Sequence, residues 1–342
     1  MKKCLVIVLV LVMALGTVLS ACGTKEGVSS GTSAGTGDKM KFGVVIKQTG
    51  NAFFDASDQG FQTAAKELGI EIESRGPADS TAEGQIEIIQ NFVAEGVDCL
   101  LVTANDPDAL APSLKEAMEK GIKVISWDSD VAADARTLYV QSADVETIGR
   151  NQIEVAYDLA GGAGQIAILS AAATATNQNT WIDVMKQVLE EDKYKDLELV
   201  AVVYGDDKPD KSYQEAQGLL KSYPDLEVVI APTTVGIAAA GKAFTDANLM
   251  GKKFVTGLAL PTEMAPYIKN GIAPTVMLWN PIDFGYVSAY VAYALVTGKT
   301  TGAEGDTISV GTQGERTVMA NGVVNLGDLF KFTKDNVDNF GF

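Results

Sequence analysis

From Phe42 to Gly257 the chain repeats one pattern: a short apolar run, then a longer stretch with apolar residues at helical spacing, then a glycine. The first strand is predicted over Phe42 to Lys47, and a helix over Phe53 to Leu68 stops before Gly69. Ile70 to Ser74 alternates like a strand, and Thr81 to Glu95 carries Ile86, Ile89, Phe92 and Val93 on one helical face. Then come strand Cys99–Thr103, helix Asp108–Lys120 and strand Lys123–Trp127. The pattern resumes after a helix at Val145–Leu159. Strands Ile166–Ser170, Leu199–Val203, Val228–Ala231 and Phe254–Gly257 alternate with helices Gln178–Leu189, Ser212–Ser222 and Gly236–Ala247. Near-continuous apolar runs separated by helices are the signature of parallel strands buried on both faces, joined by right-handed crossovers.

The spacing of Val97 to Asp128 is echoed by Leu226 to Gly257, with Gly121 and Gly251 in corresponding places. The expected fold is therefore α/β, as two doubly wound parallel-sheet lobes joined by a hinge. Ligands bind outside the carboxyl ends of such strands, so two facing lobes share one cleft.

Ahead of this body, Lys2 and Lys3 precede an uncharged apolar or small-residue run from Leu5 to Val18. The run is too short to span a bilayer but suits an export signal. Leu19-Ser20-Ala21-Cys22 resembles the bacterial lipobox, so Cys22 is the expected lipidation site. Gly23 to Asp38 is mostly Gly, Ser, Thr and Ala, the composition of a flexible tether. The predicted organisation is signal peptide 1–21 and lipidated linker 22–38, followed by the two lobes. A lipid-anchored protein on the outer face of the cell membrane, or a periplasmic one, follows.

Composition narrows the chemistry. Cys4 leaves with the signal and Cys22 is committed to lipid, so Cys99 is the one thiol expected in the body. It can form no internal disulfide, and its apolar strand setting reads as core. Histidine is absent. That removes Ser-His-Asp and Cys-His catalysis and His-based zinc sites. No metal or cofactor is expected. The formal charge is −17, which repels phosphate backbones and argues against nucleic acid. A solute-binding role therefore ranks above an enzyme, with Asp128 or Lys47 the acid or base if it is one.

The predicted strand ends supply the candidate ligand contacts. They are Lys47, Asn51, Phe53 and Phe54; Asn105; Trp127 and Asp128; Asn177 and Gln178; Pro232 and Thr234; Leu258; and Trp279. Aromatic rings suit the C–H faces of sugars, while carboxylates and amides suit their hydroxyls. Asp128 ends an apolar strand, where a carboxylate is costly unless solvated or paired. Asp206-Asp207-Lys208 reads instead as a solvated turn.

These segments together resemble the periplasmic-binding-protein superfamily of ribose type, the solute receptors of sugar ABC importers. The resemblance covers the body from about Lys41 onward. It rests on Val-Ile-Lys47 with Asn51 to Phe54, Ile125 to Asp130, Thr176 to Asn179, Tyr204 to Asp207, Ala231 to Gly236, and Trp279 to Asp283. It is similar to the L-rhamnose-binding branch and the related autoinducer-2 receptors. In the latter the ligand contacts fall on Lys47, Asp128, Asn177-Gln178, Pro232 and Thr234. Asn177 stands where an aspartate is usual there, and Thr234 where an alanine is usual, which favours the rhamnose branch. The resemblance implies a type I periplasmic binding protein, a permease partner and a monomer. It places the hinge crossings near Ala143 and Trp279. The first lobe is then 39–142 with 280–300, and the second 143–279 with 301–342.

Overall fold

The computed structural model describes Lys39–Phe342; the export signal, Cys22 and the linker lie outside these residues. The first half runs β1 (Lys41–Val45), α1 (Ala52–Leu68), β2 (Glu71–Arg75), α2 (Ala82–Glu95), β3 (Cys99–Val102), α3 (Pro107–Glu119), β4 (Lys123–Trp127) and β5 (Leu138–Gln141). Next come α4 (Val145–Leu159), β6 (Gly164–Ser170), α5 (Thr176–Leu189), β7 (Leu197–Tyr204), α6 (Pro209–Ser222), β8 (Leu226–Ala231), α7 (Thr234–Asp246) and β9 (Phe254–Gly257). The chain ends with α8 (Pro261–Lys269), β10 (Thr275–Leu278), α9 (Pro281–Val296), β11 (Thr307–Ser309), β12 (Glu315–Thr317), β13 (Val323–Asn325) and β14 (Phe330–Thr333).

Two parallel sheets result, in the orders β13-β5-β4-β3-β1-β2 and β7-β6-β8-β9. In the first, β3 shows how period-2 alternation divides a core. Cys99 and Leu101 face one layer with Phe61 of α1 and Phe284 of α9. Leu100 and Val102 face the other, with Ile89 of α2 and Leu114 of α3. Cys99 is fully buried, and desolvation pushes its thiol pKa far up, which fits the inert core role. Helix ends follow local chemistry. Asn51, Thr81 and Asp106 cap α1, α2 and α3 with side-chain oxygens, and Gly69 and Gly96 close α1 and α2 in the left-handed region.

Helices α1 and α9 pack backbone against backbone through two glycines. A Cβ on Gly60 would stand 1.9 Å from the Ile282 carbonyl oxygen, and one on Gly285 would stand 2.0 Å from that of Ser57. Only glycine fits at either position.

The C-terminal segment departs from expectation. Strand β13 pairs in parallel with β5, inside the first sheet, while β14 pairs antiparallel with β10 on the second lobe's side. Residues 301–342 therefore do not run wholly with the second lobe. The backbone hydrogen bonds of a half-finished sheet edge at β5 explain the return: Val323–Asn325 completes that edge. Strands β5 and β10, helix α8 and the C-terminal strands lie beyond the elements read from periodicity.

Candidate functional site

Both sheets reverse their strand order beside the cleft. In the first sheet β1 goes one way to β2 and β3 the other, and in the second β6 sits between β7 and β8. The loops after β1, β4, β6, β7 and β8 meet at these reversals, where neighbouring loops diverge and leave a crevice.

A cavity lies there between the lobes. Lys47, Asn51, Phe53, Phe54 and Asp128 line it from the first sheet's side. Asn177, Gln178, Trp181, Asp207, Pro232, Thr233, Thr234 and Leu258 face them, with Leu278 and Trp279 beside the crossing into α9. Its volume is about 40 Å³, against roughly 10–15 Å³ for one water by the same kind of measure. That is space for a few waters, so a sugar ring enters only as the lobes ease apart or the side chains inside re-orient.

One wall is polar. Lys47 Nζ stands 3.6 Å from Asp128 Oδ2, and both side chains are almost fully buried. Asn177 Nδ2 donates to Asp128 Oδ1 at 3.1 Å, and Lys47 Nζ donates to Asn177 Oδ1 at 3.4 Å. Thr103 Oγ1 donates to Asp128 Oδ2 at 2.9 Å. A buried ion pair is tolerable when hydrogen bonds complete it, as here. Asp128 holds a left-handed backbone, φ 60°, a conformation that costs of order 1–3 kcal/mol for a residue other than glycine. The Asp128 N–H donates to the Val140 carbonyl, and the Tyr139 hydroxyl donates to the Asp128 carbonyl at 2.8 Å. Burial, followed by the charges of Asp130 and Asp128, raises the Tyr139 pKa well above its usual value, so the phenol remains a donor.

Gln178 is held from behind: its Oε1 accepts from Ser170 Oγ and the Ala171 N–H, each at 2.8 Å. Its amide nitrogen is left for the cavity. Asn51 likewise spends its Oδ1 capping α1, accepting from the Phe53 N–H at 3.0 Å. Phe53, Phe54, Trp181 and Trp279 supply an aromatic part of the lining. Phe53 and Trp279 pack edge to face at 6.1 Å, and Trp181 and Trp279 at 5.8 Å.

Two expected contacts lie elsewhere. Trp127 is wholly buried behind the wall, edge to face with Phe54, Phe61 and Phe284. Strand alternation turns its ring to the core side and leaves Asp128, one residue on, at the cleft. Asn105 is a brace: its Nδ2 donates to the Lys47 carbonyl at 2.9 Å and it fixes the backbone that presents that lysine.

Asp207 corrects the reading of a solvated turn. It is 6% exposed and lines the cavity. Asp206 and Asp207 both hold left-handed backbones, φ 53° and 49°, and this turn swings Asp207 inward while Asp206 pairs with Lys211. Thr233 Oγ1 donates to Asp207 Oδ1. Desolvation raises the Asp207 pKa, opposed by the Thr233 hydrogen bond and the Lys47 charge. Trp181, Thr233 and Leu278 were also outside the predicted set. Thr233 and Leu278 adjoin predicted contacts in sequence and Trp181 lies one helical turn past Gln178, and this proximity was the available signal.

The lobes touch across the cleft. Gln48 Nε2 donates to the Asp207 carbonyl at 3.0 Å, Thr174 Oγ1 to the Asn105 carbonyl at 2.8 Å, and Lys208 pairs with Asp79 at 2.8 Å. Chemically, the chamber offers hydrogen-bond donors and acceptors together with aromatic side chains. That is a binding surface for a small polyhydroxylated molecule. Among the described residues no metal-ligating cluster gathers, and no helix is long and apolar enough to cross a membrane.

Comparison with known proteins fits this geometry. The pattern of the periplasmic binding protein domain matches residues 42–300. An ABC transporter solute-binding protein from Clostridium phytofermentans, solved with bound L-rhamnose, is 39% identical with a TM-score of 0.85, covering 88% of this chain and 98% of its own. LsrB from Clostridium saccharobutylicum, solved in complex with AI-2, is 26% identical with a TM-score of 0.85, covering 89% of this chain and all of its own (100%). The D-ribose/D-allose-binding protein of Pseudomonas aeruginosa is 26% identical over 265 residues, 74% of this chain and 81% of its own. With two parallel-sheet lobes, a cleft at their strand ends and this match over most of the body, the chain belongs to the periplasmic binding protein family.

Proposed function

We propose that this protein is the extracytoplasmic solute-binding component of an ABC importer. It takes a small sugar-like ligand, L-rhamnose or a similar monosaccharide, into the interlobe chamber and delivers it to a membrane permease. The observation that carries this reading is the lining of the chamber: Lys47, Asp128 and Asn177 in one hydrogen-bonded set, together with the aromatic side chains of Phe53 and Trp279. A deoxysugar has groups for both: hydroxyls around the ring rim for the polar set, and C–H bonds and a methyl group for the aromatic side chains. The L-rhamnose-bound relative at 39% identity supports the choice of sugar. AI-2 is the second reading, supported by the LsrB complex.

The action is binding, not reaction. Contacts from both lobes favour a closed state, and ligand shifts the balance only by its differential affinity for closed over open. The first lobe comprises 39–142 with 280–326 and the second 143–279 with 327–342, the chain crossing three times. Cys22 carries the lipid that keeps a monomeric receptor beside its permease and raises their encounter concentration.

A thermal-shift panel of L-rhamnose, L-fucose, D-ribose and AI-2 tests the proposal, because a ligand of the folded state stabilises it by mass action. L-rhamnose is expected to give the largest shift and to be recovered unchanged after long incubation. Stabilisation by AI-2 and not by rhamnose reverses the ranking. No shift with any of the four overturns the sugar reading.

A further inference from the structure

Three ionisable side chains line the interlobe chamber: Lys47, Asp128 and Asp207. With all three charged, the lining carries one negative charge in excess. Lys47 is already engaged. Its Nζ stands 3.6 Å from Asp128 Oδ2 and donates to Asn177 Oδ1, and among the described residues it forms no ion pair with Asp207. The lysines that follow Asp207 in sequence pair elsewhere, Lys208 with Asp79 and Lys211 with Asp206.

The two carboxylates differ in what they have left to offer. Asp128 accepts from Asn177 at Oδ1 and from Thr103 at Oδ2. Asp207 accepts from Thr233 at Oδ1, while among the described residues no donor meets its Oδ2. The residue is buried and lines the chamber, so that oxygen faces the space a ligand enters. Its backbone is pinned across the cleft, the Asp207 carbonyl accepting from Gln48 Nε2 at 3.0 Å. Closure of the lobes therefore fixes where the free oxygen stands.

A buried carboxylate without a counter-charge is costly. In the ligand-free chamber a proton offsets the excess. Burial raises the Asp207 pKa against the Thr233 hydrogen bond and the Lys47 charge, and Asp128 and Asp206 add to the rise. A ligand ammonium can take that proton's place. The proton then leaves Asp207 for solvent, and the ionised pair forms a charge-assisted hydrogen bond, roughly twice as strong as one between neutral groups. An amino group replaces a hydroxyl nearly atom for atom, so it needs no room beyond that of the parent sugar.

We propose that Asp207 is a specificity-determining contact that selects a cationic substituent: the chamber prefers an amino-deoxy sugar, with its ammonium on Asp207 Oδ2, to the neutral parent sugar. This rests on the proposed sugar binding and narrows its substrate class.

The test is calorimetry at pH 7 with L-rhamnose and its 2-amino-2-deoxy, 3-amino-3-deoxy and 4-amino-4-deoxy analogues, on the wild-type chain and on Asp207→Asn. Asparagine keeps the left-handed backbone and an acceptor for Thr233 but removes the charge. One of the three amines is expected to bind wild type at least threefold tighter than L-rhamnose. In the variant the ratio of that amine's affinity to rhamnose's should fall more than tenfold, a ratio that a general loss of structure leaves unchanged. If all three amines bind wild type more weakly than rhamnose, or if the ratio is the same in Asp207→Asn, the inference is overturned. If neither rhamnose nor any amine binds wild type, the sugar assignment itself fails, a result distinct from either.

Discussion

Asn177 and Asp128 stand on opposite lobes and share a hydrogen bond, Nδ2 to Oδ1 at 3.1 Å, with Lys47 reaching both. Asp128 is the member that a sugar cannot replace. Its carboxylate can accept from two hydroxyls, and hydrogen bonds to charged groups contribute about 1.5–3 kcal/mol each. Asp128→Ala removes them and leaves Lys47 buried without its counter-charge. Calorimetry should show L-rhamnose affinity reduced by more than an order of magnitude. Affinity near wild type would remove Asp128 from the site.

Replacing the partner tests closure separately. Asn177→Asp puts a carboxylate oxygen where an amide donor now meets Asp128. Two carboxylates at that distance repel unless one takes a proton. The ligand-free closed state should lose population, and small-angle scattering should give a larger radius of gyration at neutral pH. The increase should shrink as the pH falls and one acid is protonated. An unchanged radius across that range would mean the pair does not hold the lobes together.

Asp207 predicts a pH-dependent stability. Burial raises its folded pKa above the unfolded value. The neutral form is thus favoured in the folded protein. Its contribution to stability is fully present below the ordinary aspartate pKa, about 3.9, and is lost as pH rises through the raised folded value. Lys47 and Thr233 offset part of this, while Asp128 and Asp206 add to it. Asn tolerates the left-handed backbone at this position as Asp does. Ligand-free Asp207→Asn should therefore melt roughly 2 °C or more above wild type at pH 7, the scale of about 1 kcal/mol in a chain of this size. The gap should close toward pH 4. A variant that melts lower at pH 7 would show that Lys47 and Thr233 more than compensate the buried charge.

Much of this site could be read from strand ends because parallel sheets put their carboxyl ends on one side. Lys47, Asp128 and Pro232 each follow an apolar run directly, Asn177 follows the small-residue loop after β6, and all four line the chamber. Trp127 shows the limit of that reasoning: the last residue of a strand and the next point opposite ways, so one of the pair is always core. Asp207 escaped because its inward turn depends on two consecutive left-handed residues, which Asp-Asp does not announce as glycine would. The C-terminal strands escaped for another reason. Val323–Asn325 is three residues long and is specified by the free edge of β5 rather than by its own periodicity.

The lipid assignment makes a prediction outside the described residues. Cys22→Ser leaves the apolar leader intact but removes the acylated sulfur. In a cell fractionation the wild-type chain should partition with membranes and the variant with the soluble extracytoplasmic fraction, while both bind L-rhamnose equally. A variant that stays with membranes would assign the attachment to something other than Cys22.

Gly60 and Gly285 join the two helices that carry opposite ends of the aromatic wall: α1 begins at Phe53 and Phe54, and α9 follows Trp279. A methyl group at Gly60 would meet the Ile282 carbonyl at 1.9 Å, and the obstacle is backbone that cannot rotate away. The helices must separate, so Gly60→Ala should cost roughly 1–3 kcal/mol as overpacking does, despite the better helix propensity of alanine, worth about 1 kcal/mol in the other direction. The movement should also widen the Phe53–Trp279 contact and weaken ligand binding through the wall, with Asp128 and Lys47 untouched. Gly218, on α6, meets nothing within 4 Å of its added Cβ and serves as the control. Gly218→Ala should hold or raise the melting temperature and leave binding unchanged. If Gly60→Ala behaves like this control in both melting and calorimetry, the close packing of α1 on α9 does not set the position of the aromatic wall.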